Sequence, residues 1–293
     1  MTKLLWDKYQ SEKEILITFA NTGCEDNRTL DFVHECASRF EWPVTWLETE
    51  ITSELGVGPS FRVVNYETAM RPEDMHSLNH PFHAVIKKYG IFNSVAKSCT
   101  DKLKIVPMEK YIKSVGWKKG VKLDHQTAIG IRSDEMDRVS VKAEKYGLVY
   151  PLVDWGYTKR DVAQEIKKWG FDLQIPGDHF GNCTWCWKKT HRKHMTLALQ
   201  DPSVFDFPRL MEDKYKHHKP DSKASVDGVR KFFRKYKSTE DIISEAQTTD
   251  FVLYEDDPWE HGKEAKYLWD EDLDVGSSCG ESCEIGADDI DDD

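Results

Sequence analysis

The chain has no stretch approaching the ~18 consecutive apolar residues that a membrane helix needs. Its start, Met1 to Lys8, has no apolar core segment and no small-residue cleavage site, so it does not read as a secretory signal. Together these absences lead us to expect a cytoplasmic protein with no membrane partner. No internal repeat and no low-complexity linker interrupts the sequence. An even cysteine set is also missing. The seven cysteines are Cys24, Cys36, Cys99, Cys183, Cys186, Cys279 and Cys283. An odd number without a secretory signal argues against a disulfide framework and favours metal or redox use.

What is present fits a folded domain. The 293 residues are 39% hydrophobic and 12% aromatic, enough for a core, and the length suits one core domain with appendages. The net charge of −11 hides an uneven distribution. Residues 250–293 hold 17 Asp/Glu and two Lys, a net of −15, so residues 1–249 carry +4. A mildly basic body suits a phosphate-bearing ligand; it is too weak a signal to support nucleic acid as a partner. The acidic end reads as a solvating, partly disordered tail.

Hydrophobic spacing gives the element order. Residues 1–13 read as a helix. Glu14 to Ala20 is a short continuous apolar run that suits a buried parallel strand. Asn21-Thr22-Gly23 breaks it, a helix follows from about Arg28, and Pro43 to Leu47 is a second strand. Strand, turn, helix and strand make a βαβ unit. Residues 50–80 look like a long irregular excursion. His80 to Tyr89 and Met108 to Val115 read as helices, Gln126 to Ile131 as a third strand and Val149 to Val153 as a fourth. Thr158 reads as the cap of a helix over Lys159 to Trp169, and Lys188 to Leu199 is basic and helical. This alternation predicts an α/β core, residues 1–200, with a mostly parallel sheet. A helical extension over 201–249 and the acidic tail over 250–293 complete the chain. In such sheets ligands sit beyond the C-terminal ends of the strands.

Four places carry residues suited to chemistry. The Asn21-Thr22-Gly23-Cys24-Glu25 turn follows a strand and precedes a helix, where amides and a hydroxyl hold a nucleotide or simply close a βα turn. Arg132, Asp134, Glu135 and Arg138 leave the third strand at its C-terminal end; they fit a bidentate phosphate grip or a solvated salt-bridge cluster. Cys183-x-x-Cys186 lies among Trp185, Trp187, Lys188 and Lys189. It fits half of a tetrahedral thiolate site, an iron–sulfur ligand pair or a redox dithiol. Cys99 is a candidate third ligand, Cys279 or Cys283 a fourth, and His191 and His194 are nearby alternatives. The last place is Cys279-x-x-x-Cys283, a redox pair, a metal clip or unused thiols. Cys24 and Cys36 read as incidental, Cys36 as core.

The ordered segments ITFANTGCEDNRTLDFVHEC, SVAKSCTDKLKI, AIGIRSDEMDR, YPLVDWGYTKRDV and GNCTWCWKK, with a closing C-x-x-x-C-E, resemble the phosphoadenosine phosphosulfate reductase family, particularly its phage and mobile-element branch. The likeness runs from residue 1 to about 215 and returns at the end. It implies an adenine nucleotide alpha-hydrolase-like, Rossmann-like doubly wound sheet. It also implies an adenine nucleotide, phosphoadenosine phosphosulfate or ATP, held by Thr22, Gly23, Arg132, Glu135 and Arg138. By the same resemblance, Cys99, Cys183 and Cys186 would hold iron–sulfur or zinc, with Cys283 the candidate fourth ligand. Cys279 or Cys283 would be the nucleophile, and a thioredoxin-like donor would supply electrons. The sequence departs from the family at its start, which resembles the helix after the family's first strand and Ser-Gly-Gly-x-x-Ser phosphate loop; strand and loop are absent. The family's closing Glu-Cys-Gly-Leu-His is replaced by Ser278-Cys279-Gly280-Glu281. Two expectations follow: an enzyme of nucleotide-linked sulfur chemistry, sulfonucleotide reduction or ATP-linked sulfur transfer, or a non-catalytic phage accessory protein that keeps the nucleotide-binding fold.

Overall fold

The structure is a computed structural model that describes residues 1–94, 96–117, 124–218, 228–233 and 236–255. It is a mixed α/β arrangement with parallel strand pairs. After helix α1 (Thr2–Tyr9), strand β1 (Ile17–Asn21), helix α2 (Asn27–Arg39) and strand β2 (Val44–Glu50) form the expected βαβ unit, with β1 and β2 parallel and Ile17 opposite Val44. Asp26 caps α2 by accepting from the Arg28 amide at 2.9 Å, and its carboxylate grips the Arg28 guanidinium. Leu30 of α2 and Trp46 of β2 are buried together, with Phe19 against them, so the helix covers one face of the sheet.

The excursion over 50–80 contains an unexpected strand, β3 (Ser60–Val64), antiparallel to β2. Helix α3 (Pro81–Tyr89) follows; His80 caps it and Pro81 opens it, where a missing N–H costs nothing. A π-helical turn over Asp101–Ile105 runs into α4 (Val106–Ser114). The second sheet is small: β4 (Thr127–Ala128) and β5 (Leu148–Val149), also parallel. Of the expected strand over 149–153 only Val149 is in strand, as the second residue of β5, and Pro151 then starts a short helix, α5 (Pro151–Asp154). Proline's fixed φ and absent donor suit a first helical position and not a sheet interior. Helix α6 (Lys159–Lys167) has the predicted cap at Thr158, reinforced by Asp161 in a capping box. Helices α7 (His191–Gln200), α8 (Asp206–Tyr215) and α9 (Thr239–Thr248) complete the described elements.

The main core spans these parts. Phe82 and Ile86 of α3, Trp185, Leu197 of α7, Phe205, Met211 of α8, Phe232 and Ile242 of α9 are all buried in one cluster. Trp185 sits at its centre. It stacks on Phe207 at 5.3 Å and meets Phe82 and Phe232 edge-on at 5.0 Å, the geometry that aromatic quadrupoles favour. The residues after 201 thus share the core of those before it. Among the described residues no helix is long and apolar enough to cross a membrane. The acidic tail, with Cys279 and Cys283, lies outside the described residues.

Candidate functional site

The C-terminal end of β1 carries the densest chemistry. Glu25 pairs with Cys183 in an isolated antiparallel bridge, and the Thr184 amide donates to the Cys24 carbonyl at 3.0 Å. Two segments about 160 residues apart are thereby stitched backbone to backbone. Cys183 and Cys186 are themselves the ends of a turn, with the Cys186 amide donating to the Cys183 carbonyl at 2.9 Å. Asn182 takes a left-handed backbone (φ +58) as the chain enters this turn. The buried Lys189 ammonium ties the Gly181 and Cys183 carbonyls at 2.7 and 3.2 Å, and His194 of α7 donates to the Cys186 carbonyl at 2.9 Å. The C-x-x-C turn is thus anchored on both sides.

Cys99, Cys183 and Cys186 line one cavity of about 20 Å³, together with Thr22, Lys104 and Lys188. That volume holds about one water-sized atom. These three thiols and the buried Cys24 and Cys36 form no disulfide with one another. Composition suits a thiolate metal site, but among the described residues no three Cys, His, Asp or Glu side chains come together to hold an ion. The three cysteines share a cavity without closing into a ligand set, and Cys283, the fourth candidate, lies outside the described residues.

The turn itself is occupied by its own side chains. The Thr22 amide and hydroxyl donate to Glu25 Oε2 at 3.0 and 2.8 Å. The Gly23 amide reaches Asn21 Oδ1 at 3.2 Å and the Cys24 amide reaches the Thr22 hydroxyl at 3.3 Å. The donors that a phosphate would use are therefore engaged within the turn. Gly23 is required here twice over. Its φ is +79°, and a Cβ would stand 2.4 Å from His80 Nε2. His80 is fully buried, donates from Nε2 to the Gly23 carbonyl at 3.0 Å and accepts the His83 amide at Nδ1. A carbonyl only accepts and an amide only donates, so the ring is the neutral Nε2–H tautomer. Burial drives its pKa down from 6.5 to about 4.

Sequence reasoning named Glu25 and Lys188 only as neighbours of the turn and the C-x-x-C motif, and gave neither them nor Lys104 a role of its own. Glu25 is buried; its second oxygen, Oε1, has no hydrogen-bond donor and lies 3.7 Å from the Lys104 ammonium. The Thr22-x-x-Glu25 spacing is a capping-box pattern and would have flagged it. The Lys188 ammonium is also buried and makes no hydrogen bond, lying 5.5 Å from the Trp187 ring centre. Cys24, walled in beneath, is pushed well above the ordinary thiol range, first by burial and then by Cys183 and Glu25.

Arg132, Glu135 and Arg138 do not line this cavity. They cap and brace the 3-10 turn after β4. Arg132 pairs with Asp134 at 3.0 Å and Glu135 at 3.3 Å, and Arg138 pairs with Glu135 at 2.5 Å. Burial pushes the Asp134 carboxyl up, but hydrogen bonding and charge from Arg132 outweigh it and hold that carboxyl below its usual range. Both guanidinium groups thus already have carboxylate partners. A larger cavity of about 600 Å³ lies between the 51–58 loop and α3, with no cysteine in its lining. Its Lys88 ammonium donates to the Thr52, Glu54 and Val57 carbonyls at 2.7–2.9 Å.

No protein-family model matches the chain, and no solved structure matches it. Among curated proteins it is similar to the uncharacterized nin region protein ORF290 of Escherichia phage lambda, 35% identical over 204 residues. The match covers 68% of this chain and 65% of that relative's length.

Proposed function

We propose that the chain carries out adenine-nucleotide-linked sulfur chemistry, of the kind found in phosphoadenosine phosphosulfate reductases, at the thiol cavity beyond β1. The observation that carries this reading is the convergence of Cys99, Cys183 and Cys186 on one cavity beside Thr22, at the C-terminal end of a parallel strand. The two parallel pairs and the α2 crossover support a Rossmann-like doubly wound sheet as the frame, in which strand ends are where ligands bind. In the reductive version a thiolate attacks the sulfonyl sulfur, a thiosulfonate forms and adenosine bisphosphate leaves. Lys104 and Lys188 on the cavity wall suit the negative charge of sulfonyl and phosphate groups.

A second reading is favoured by a specific observation. The turn amides and both arginines are engaged within the protein, as suits a phage accessory protein that keeps the fold without turnover. Calorimetry with ATP and with phosphoadenosine phosphosulfate, followed by assay for sulfite and adenosine bisphosphate with a dithiol reductant, separates the two. We expect nucleotide binding, weakened by about 1–3 kcal/mol in Lys104→Ala, the scale of a charge-assisted contact. Binding without turnover of either nucleotide selects the accessory reading, and no binding of either removes both.

A further inference from the structure

Lys188 presents an unusual problem. Its ammonium is buried, makes no hydrogen bond or ion pair among the described residues, and lines a cavity with three thiols. An ammonium out of water without an anion is costly, so the cavity calls for a negative charge. The cavity lining holds no Asp or Glu, so the acids on its wall are its three thiols. Thr22 indicates which sulfur is protonated. Its hydroxyl has one proton, given to Glu25 Oε2 at 2.8 Å, so in its 3.5 Å contact with Cys183 Sγ it accepts and the Cys183 thiol donates. That makes Cys183 the thiol donor to Thr22; Cys186, across the same turn, lines the same cavity as Lys188. The turn also brings the two within bonding range. A turn closed by an i to i+3 hydrogen bond holds its end Cα atoms within about 7 Å, and a disulfide spans about 4.4–6.8 Å.

We infer that Cys183 and Cys186 are a reversible dithiol–disulfide couple, with Lys188 stabilising the anionic sulfur of its reduced form. This deepens the sulfur-chemistry reading by naming its electron store. The oxidant is a low-molecular-weight disulfide. The Cys186 thiolate attacks one of its sulfurs, forming a mixed disulfide and releasing one small thiolate, which takes up a proton. Cys183 then loses its proton and attacks Cys186 Sγ, forming the internal bond and releasing the second small thiolate, which takes the Cys183 proton. Two protein thiols are oxidised by two electrons as one small disulfide is reduced to two thiols.

The test uses the full chain, equilibrated anaerobically in mixtures of reduced and oxidised dithiothreitol, quenched with N-ethylmaleimide and digested for mass spectrometry. We expect a two-electron transition that produces a Cys183–Cys186 cross-linked peptide. It should disappear in Cys183→Ala and Cys186→Ser and persist in Cys36→Ser. Alkylation of reduced Cys186 at pH 7 should slow about tenfold in Lys188→Gln, with rate largely kept in Lys188→Arg. Absence of that cross-link, a Cys99–Cys183 bond in its place, or an unchanged rate in Lys188→Gln overturns the inference. So does protection of all three thiols that a chelator releases, which would make the cavity a metal centre. Nucleotide binding is measured separately, so failure of the couple with binding intact leaves the sulfonucleotide reading standing.

Discussion

At the scale of single residues, the thiol site is held by a neutral histidine. His80 supports the Gly23 carbonyl, and charging it would place an uncompensated cation in the core. Its pKa falls from 6.5 to about 4 on folding, so the folded chain binds fewer protons than the unfolded chain between those values. The stability it contributes is complete above pH 6.5 and is lost as pH drops towards 4. Urea unfolding should show a loss of about 2 kcal/mol between pH 7 and pH 5, the linkage expected for that shift. His80→Gln should flatten the slope; an equally steep slope in that variant would dissociate His80 from the effect. Little of this was legible beforehand. The Thr22-Gly23 turn can be seen in the sequence, but the ring that makes glycine obligatory there comes from residue 80, and only packing brings it in. Thr158 was legible because its cap is local, made with Asp161 three residues on.

At the scale of elements, β3 is held to β2 partly by charge. Glu48 is fully buried, accepts from Asn21 Nδ2 at 2.6 Å and the Met70 amide at 2.7 Å, and pairs with Arg62 of β3. Removing the partner of a buried ion strands a charge. Arg62→Ala should therefore cost about 3 kcal/mol, at the low end for a buried pair because Arg62 reaches the surface. Chemical denaturation reads this directly; a change below about 0.5 kcal/mol would mean that Asn21 and Met70 alone satisfy the carboxylate. The strand itself was hidden in the sequence. It is five residues long, sits between Gly/Pro-rich and polar stretches, and is recruited by pairing with β2. The βαβ unit and α3 were legible because their periodicity or apolar runs are local and their ends are punctuated. The second sheet was overdrawn, since its two apolar runs each contribute only two residues to pairing and Pro151 turns the second into a helix.

At the scale of the whole molecule, the boundary expected near residue 200 does not divide the core. Phe205, Phe207, Met211, Phe232 and Ile242 fill the same cluster as Phe82 and Trp185. A chain ended at residue 200 would lack those five side chains and expose Phe82 and Trp185, a loss several times the ~3–5 kcal/mol of one large core truncation. It should lack the near-ultraviolet circular dichroism of packed aromatics, whereas the full chain should show it; a native-like spectrum from the shorter chain would restore the division at 200. Composition and element order announced a core of this size, but not that its centre would be the tryptophan inside the C-x-x-C motif. One consequence is kinetic. Because Trp185 is enclosed by rings from residues 82, 207 and 232, this part of the core cannot close on the ribosome until residue 232 has emerged. Until then the nascent chain exposes a sticky aromatic surface, so its yield in the cell should depend on chaperone supply and translation speed more than on the equilibrium strength of the finished fold.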